Sequence, residues 1–321
     1  MKIISILLFA LIASYSQSQT LNLSSDVWPP FTNVEAEKSL AMDIVAQALG
    51  NDSITVNYKI VDFITVMEDI NKGDADGSAA LWKNDAREEI LLFSSAYLEN
   101  QLILVGRKGA DVEVSSFEEL EEKRIGVVED YAYGEELKSG INNQIIHGES
   151  DQQNLERLLS QQVDYILVDA ILIQYLLKYQ LNDVTEFLEI GEIPMLTKFL
   201  HLAIRKDYPE AEQIIANFNA AINTMVVDGS YNEILELNWI RADVDGDGKL
   251  ELILAGDKAG TSAPDNFYTV KYSDQGVQSC RYYVDGQIYD NWNDVPGKYK
   301  IPPPKVSSYP AQNDATMKIK F

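Results

Sequence analysis

Between Thr20 and Trp239, short apolar runs alternate with stretches whose apolar residues recur at helical spacing. That alternation is the pattern of an α/β fold. Ile54-Thr55-Val56-Asn57-Tyr58 is strand-like, and Leu40, Ile44, Val45, Ala48 and Leu49 share one helical face that Gly50 stops. Ile64 to Lys72 repeats the helical spacing and ends at Gly73. Ser116-Phe117-Glu118-Glu119 has the form of a capping box and predicts a helix start. Ile125-Gly126-Val127-Val128 and Tyr165-Ile166-Leu167-Val168 read as buried parallel strands. Pro209 is predicted in the first turn of a long helix whose stripe is Ile214, Ile215, Phe218, Ile222 and Met225, ended by Asp228-Gly229.

After Trp239 the pattern changes. Asp243 to Phe321 is rich in tyrosine, glycine and asparagine, and predicts a small β-rich extension. Asp285-Gly286, between Tyr282-Tyr283-Val284 and Gln287-Ile288-Tyr289, is a two-residue hairpin signal. Ile301-Pro302-Pro303-Pro304 cannot join a central strand and is expected on the surface. At the other end, Lys2, the apolar run from Ile3 to Ala13 and the small polar residues up to Ser18 read as a secretory signal, residues 1–18. Cleavage is expected after Ser16 or Ser18, giving an exported, periplasmic protein.

The remaining ~300 residues exceed one typical domain. A formal net charge of −24 argues against nucleic acid or an anionic membrane as partner. With Cys280 as the only cysteine, stability rests on burial and not on an intrachain disulfide. The two histidines, His147 and His201, are too far apart in sequence to suggest a histidine metal site.

Candidate chemistry concentrates at Trp82-Lys83-Asn84-Asp85-Ala86-Arg87, which follows the small-residue strand Asp76-Gly77-Ser78-Ala79-Ala80. An arginine fixed at a helix start presents a rigid fork of N–H donors suited to a carboxylate. Around it, separated segments occur in a recognisable order: Trp28-Pro29-Pro30-Phe31, Met42-Asp43, Gly73-Asp74-Ala75-Asp76, Arg87 with Phe93-Ser94 and Tyr97, then Ile125-Gly126-Val127 with Tyr131-Ala132-Tyr133-Gly134. Val163-Asp164 with Asp169, and Asp228-Gly229-Ser230-Tyr231 running to Trp239, complete the set.

With these segments, Leu21 to Trp239 resembles the extracellular solute-binding proteins of the amino-acid-binding type, the bilobed receptors of bacterial ABC importers. The resemblance implies a type II periplasmic-binding-protein fold of two α/β lobes joined by two hinge strands, near Leu102–Val105 and His201–Ile204. Residues 20–106 and 202–240 would form lobe one, 107–201 lobe two and 241–321 the extension. It further implies that Arg87 grips a ligand carboxylate and Asp169, from the opposite lobe, its ammonium group. Trp28 and Phe63 would be pocket walls, and Tyr131 and Tyr133 would offer polar contacts. Where relatives carry small hydroxyl residues before the arginine, this chain has Trp82, Lys83 and Asn84. That substitution predicts a more aromatic pocket whose ligand need not be a standard α-amino acid.

Asp243-Val244-Asp245-Gly246-Asp247-Gly248-Lys249-Leu250-Glu251 places oxygen donors on alternate residues, with glycine at the sixth. Such a loop wraps a hard cation. It resembles the calcium loops of FG-GAP or integrin-type repeats, with Asp243, Asp245, Asp247, Lys249 and Glu251 as the expected ligands of one structural calcium. Leu250, Leu252 and Leu254 are expected on the buried face of the next strand.

The leading reading is therefore a monomeric, non-enzymatic receptor for a small polar or zwitterionic solute, serving a permease or a membrane sensor. Two alternatives accompany it. One is an enzyme on the same scaffold, a cyclohexadienyl or arogenate dehydratase using Glu129, Asp130 or Asp169. The other is a calcium-dependent adhesion or assembly module.

Overall fold

The computed structural model describes residues 19–34, 39–114, 116–135, 137, 145–179, 182–235, 239–242, 247, 251–254 and 281–299. The expected signal segment, Asp243, Asp245, Lys249, Leu250, Cys280 and the Ile301–Pro304 run lie outside these residues.

The architecture is two α/β lobes threaded by two long strands. In the first lobe, β1 (Gln19–Ser25) is followed by α1 (Leu40–Gly50), β2 (Ile54–Ile60), α2 (Phe63–Lys72), β3 (Gly77–Trp82), the short α3 (Asp85–Glu88) and β4 (Leu91–Phe93). β5 (Leu98–Arg107) then leads into the second lobe, built from β6 (Ile125–Val128), β7 (Ile145–Gly148), α4 (Asp151–Leu159), β8 (Tyr165–Asp169) and α5 (Ala170–Tyr179). The 18-residue β9 (Leu188–Arg205) returns to α6 (Ala211–Asp228) and α7 (Ser230–Leu235).

One nine-stranded sheet runs in the order β2-β1-β3-β9-β5-β8-β6-β7, with β4 also on β9. The β1–β2 and β1–β3 pairs are parallel, as are β6–β7 and β6–β8. β5 pairs antiparallel with β9 from Leu98↔Leu200 to Arg107↔Leu188, so these two strands connect the lobes; Leu102–Val105 lies within that pairing, whereas His201–Ile204 lies beyond it and pairs with β3 and β4 of the first lobe. Gly77 is required where β3 meets β9, because a Cβ there would lie 1.9 Å from the Ala203 carbonyl oxygen.

Local sequence explains most of these boundaries. Asp62 caps α2 by accepting from the Thr65 N–H, and Gly73 ends it in the left-handed region at φ 82°. Gly229 ends α6 in the same way at φ 87°. The α6 stripe Ile214, Phe218, Ile222 and Met225 is buried in the main core, which stabilises the helix by roughly 1.5–3 kcal/mol per side chain.

Two expectations change. The predicted helix at Ser116 is a single 3-10 turn, Phe117–Leu120, whose Ser116 hydroxyl makes no cap bond. The long helix begins at Ala211, after Glu210, so Pro209 precedes it instead of occupying its first turn. Glu210 takes a left-handed φ of 61°, which turns the chain after Pro209 and delays the start.

The C-terminal part is a separate four-stranded sheet in the order β10 (Trp239–Ala242), β11 (Glu251–Leu254), β12 (Arg281–Val284) and β13 (Gln287–Tyr289). Asp285 and Gly286, at φ 53° and 76°, make the expected hairpin turn between β12 and β13. Leu250 and the side chains of Leu252 and Leu254 on β11 lie outside the description. The opposite face is buried, with Glu251 and Ile253 both inside.

Candidate ligand-binding cleft

The candidate groups sit at the carboxyl ends of parallel strands, where open α/β sheets place their ligands. Asp26 and Trp28 follow β1, Phe63 begins α2 just after β2, and Trp82 ends β3. From the second lobe, Tyr131 and Tyr133 follow β6, and Asp169 ends β8.

Arg87 is 6% exposed. Asn84 fixes its backbone, since the Asn84 Oδ1 accepts from the Arg87 N–H at 2.8 Å as the cap of α3. The guanidinium Nη1 donates to the Trp82 carbonyl at 2.6 Å, and Nη2 crosses the cleft to the Asp130 carbonyl at 2.8 Å. Its carbon lies 5.2 Å from the Phe63 ring centre, a cation–π distance. Among the described residues its hydrogen-bond partners are carbonyls, not carboxylates. Burial pulls its pKa down to about 10, against the fields of Tyr131, Asp130 and Asp26.

Three rings of the first lobe form a box. Trp28 and Trp82 meet edge to face at 5.4 Å, and Phe63 lines the same cavity. Tyr131 enters this box from the other lobe, at 4.9 Å from Phe63, 5.3 Å from Trp82 and 5.8 Å from Trp28. Its hydroxyl donates to Asp26 Oδ2 at 2.7 Å. Tyr133 packs against Trp82 at 5.6 Å, and its hydroxyl accepts from the Val128 N–H.

Asp169 is 2% exposed and turned towards its own helix. Its carboxylate accepts from the Ile171 and Leu172 N–H groups at 2.7 and 3.1 Å and from Asn100 Nδ2 at 3.1 Å. Asn100 in turn accepts from the Trp82 indole N–H at 2.8 Å, so a hydrogen-bond chain Trp82–Asn100–Asp169 links the two lobes through β5. The structure thus gathers Arg87, Trp28, Phe63, Trp82 and Tyr131 around one cavity, with Tyr133 behind. Asn84 serves as a cap, and Asp169 joins through Asn100 and not by lining that cavity.

Two acids escaped the sequence reading. Burial pushes Asp26 up to about 6, although the Tyr131 hydroxyl and Arg87 oppose the shift. Asp151, the first residue of α4, is pushed up to about 8 by burial and then by the charges of Asp26 and Asp169. Asp169 itself is raised to about 7 by burial, with its hydrogen bonds opposing. Asp26 was signalled by its place, an acid immediately after the first strand and two residues before Trp28. Asp151 was hidden, because an acid behind a capping Ser150 reads as ordinary helix chemistry.

In the C-terminal sheet, Arg281 forks onto Asp247 with contacts of 3.0 and 2.8 Å and also pairs with Glu251. Among the described residues no group of three or more histidine, cysteine, aspartate or glutamate side chains is placed to hold a metal. Also among them, no helix is long and apolar enough to cross a membrane.

The sequence profile of the bacterial extracellular solute-binding proteins, family 3, matches residues 25–241. The chain belongs to that family. No curated protein matches the sequence. Among solved structures, this solute-binding protein is similar to an ancestral arginine-binding protein bound to arginine, at 22% identity and TM-score 0.57, over 68% of this chain and 96% of that one. It is also similar to a histidine kinase sensor domain with similarity to periplasmic binding proteins, at 15% identity and TM-score 0.60, over 67% of this chain and 93% of that one. A third is the GluR0 ligand-binding core from Nostoc punctiforme in complex with L-glutamate, at 15% identity and TM-score 0.56, over 67% and 97%. At these identities the likeness establishes the fold of the solute-binding protein and leaves its ligand to the cleft.

Proposed function

We propose that this protein captures a small polar or zwitterionic solute, an amino acid or related carboxylate, between its two lobes, and performs no chemistry on it. The observation that carries this reading is Arg87: a buried guanidinium at the mouth of an aromatic box, held by main-chain carbonyls. A cation fixed by neutral oxygens keeps its charge for an incoming carboxylate, and the interaction strengthens as closure excludes water. The lobes meet across it through the Arg87–Asp130 and Tyr131–Asp26 bonds, so a ligand there biases the open–closed balance by its differential affinity for the two states.

In this reading residues 20–106 and 202–240 act as one lobe and 107–201 as the other, in an exported, periplasmic monomer. The solute is delivered to an ABC-type importer or reported to a membrane sensor; the arginine-binding and kinase-sensor likenesses support one role each. A thermal-shift screen with amino acids, polyamines, dicarboxylates and small peptides tests the reading. A hit that Arg87→Ala abolishes supports it, and a hit indifferent to that change overturns the role of Arg87.

The loop from Asp243 to Glu251 is proposed to hold one structural calcium through Asp243, Asp245, Asp247 and Glu251, with the Lys249 carbonyl. Asp247 and Glu251 converge on Arg281, so calcium there would take these two acids over from the guanidinium. The ion would neutralise the clustered acids of the loop and tie the extension to the last helix of the first lobe.

A further inference from the structure

A second hollow lies on the first lobe, away from the cleft. Its volume is about 380 Å³, within the range of small-molecule sites. It forms where the end of α2, the turn after α3 and the end of β9 meet. α2 starts at Phe63 in the cleft and ends at Lys72 in the hollow, so its 10 residues hold the two sites about 15 Å apart. β3 runs the other way: Asp76, just before it, accepts from the Arg205 N–H beside the hollow, and Trp82 ends it in the cleft. Every lining residue belongs to the first lobe, so the hollow exists whether the lobes are open or closed.

The hollow combines an apolar floor with a cationic rim. Ile70 is buried beneath it, whereas Ile90 is 38% exposed, a large side chain open to whatever enters. Lys72, Arg205 and Lys206 bring three positive groups against one lining acid, Asp207. Lys72 is committed to Glu68, and two nitrogens of Arg205 to Asp207. The remaining Arg205 Nη1 lies against the end of α2, where a Cβ on Gly73 would come within 2.4 Å of it. That nitrogen donates to none of the described residues. Lys206 is held as Arg87 is: its ammonium donates to a main-chain carbonyl, that of Glu88, at 2.5 Å, and meets no described carboxylate. Its backbone N–H donates to the Ile90 carbonyl at 2.9 Å, which fixes this cation beside the exposed isoleucine.

The net charge of −24 repels anions at a distance, but salt screens that field beyond about 8 Å, so the nearest groups decide what binds. An ammonium without a carboxylate and an unused guanidinium N–H together suit an oxyanion. The two isoleucines reward only a ligand with hydrocarbon to bury. An inorganic anion would leave them wet, and a neutral amide would leave the ammonium unpaired.

We propose that this hollow is a second binding site, for a small carboxylate with an aliphatic body. The carboxylate sits on Lys206 and Arg205 Nη1, and the body covers Ile70 and Ile90. The site goes beyond the cleft and stands whatever the cleft binds.

The test is calorimetry on the mature chain with hexanoate, and with hexanamide and inorganic phosphate as its neutral and purely ionic counterparts. A carboxylate also suits Arg87, so the titrations are made on Arg87→Ala, which removes that competing cation, as well as on wild type. Hexanoate should bind Arg87→Ala saturably and at least about tenfold tighter than either counterpart, the value of one charge-assisted hydrogen bond. Adding Lys206→Met, an exposed change that keeps the length and removes the charge, should weaken hexanoate by about tenfold. Methyl NMR of the isoleucines locates the probe without any variant: the Ile70 and Ile90 signals of wild type should move as hexanoate is added. Signals that stay in place, no binding to Arg87→Ala, or an affinity indifferent to Lys206→Met overturns the site. Hexanamide or phosphate binding as tightly as hexanoate overturns the ligand class.

Discussion

Among the described residues, the buried Arg87 and the half-buried Arg281 both lie beside acids, and they are treated in opposite ways. In the C-terminal sheet, Arg281 closes a fork on Asp247 and also reaches Glu251, so positive and negative charge cancel within the fold. In the cleft, Arg87 donates to two main-chain carbonyls, while the nearby Asp26 accepts from a tyrosine hydroxyl. The first arrangement is complete without a solute. The second withholds each charge from its opposite, and that is what leaves both available to a third party. The comparison teaches that a binding site differs from a structural ion pair less in its residue types than in which partners the backbone supplies.

The largest effect expected from breaking the comparison is in the tail. Arg281→Ala strands Asp247 and the fully buried Glu251, and should lower stability by about 3–5 kcal/mol, read from denaturant unfolding of the extension. Arg87→Met should leave the fold nearly as stable, because no described carboxylate loses its partner. It should weaken a carboxylate-bearing solute by about 2–5 kcal/mol in calorimetry. Similar stability losses for the two variants would erase the distinction drawn here.

The cleft acids and the surface pair Arg124–Asp164 should also differ in pH response. Asp26, Asp169 and Asp151 have folded pKa values raised to about 6, 7 and 8, so their contribution to stability is complete below the ordinary carboxylate range and is lost as pH rises through those values. Asp164, held by the Arg124 fork, is lowered to about 2, so its contribution is present above the ordinary range and is lost as pH falls towards 2. Urea midpoints should therefore decline from pH 5 to pH 8. A rising midpoint over that interval would contradict the burial assigned to the cleft acids. Calcium at a hundredfold excess over its dissociation constant should add about 2.7 kcal/mol to the unfolding free energy, a gain that a chelator reverses. The smallest effect is expected for Lys72→Ala, whose pair with Glu68 is exposed and screened by solvent, so that its urea midpoint should match that of wild type.

Much of the architecture was legible because it is local. Helix stops at Gly73 and Gly229, the Asp285-Gly286 turn and the apolar strand runs each need only a few neighbouring residues. The box residues Trp28, Phe63, Trp82 and Tyr131 were legible as a set only through the order of the segments around them, since nothing in the spacing shows that four rings from two lobes converge. Asn100 was overlooked inside a strand read for its apolar residues, although Glu99-Asn100-Gln101 is a polar run in a buried strand. The partnership of Arg281 with Asp247 joins residues 34 apart, beyond what a loop motif can reveal. Tyr131 as the occupant of the box, and not merely a wall of it, is a tertiary fact that only the packed lobes disclose.

The most direct measurement is calorimetric titration of the mature protein and of Arg87→Ala with the tightest-binding L-amino acid from a thermal-shift screen. Saturable binding to the first, weakened more than about a hundredfold in the second, is the expected result. Equal affinity in both would remove the guanidinium from the site and, with it, the claim that this cleft holds its charges open for a solute.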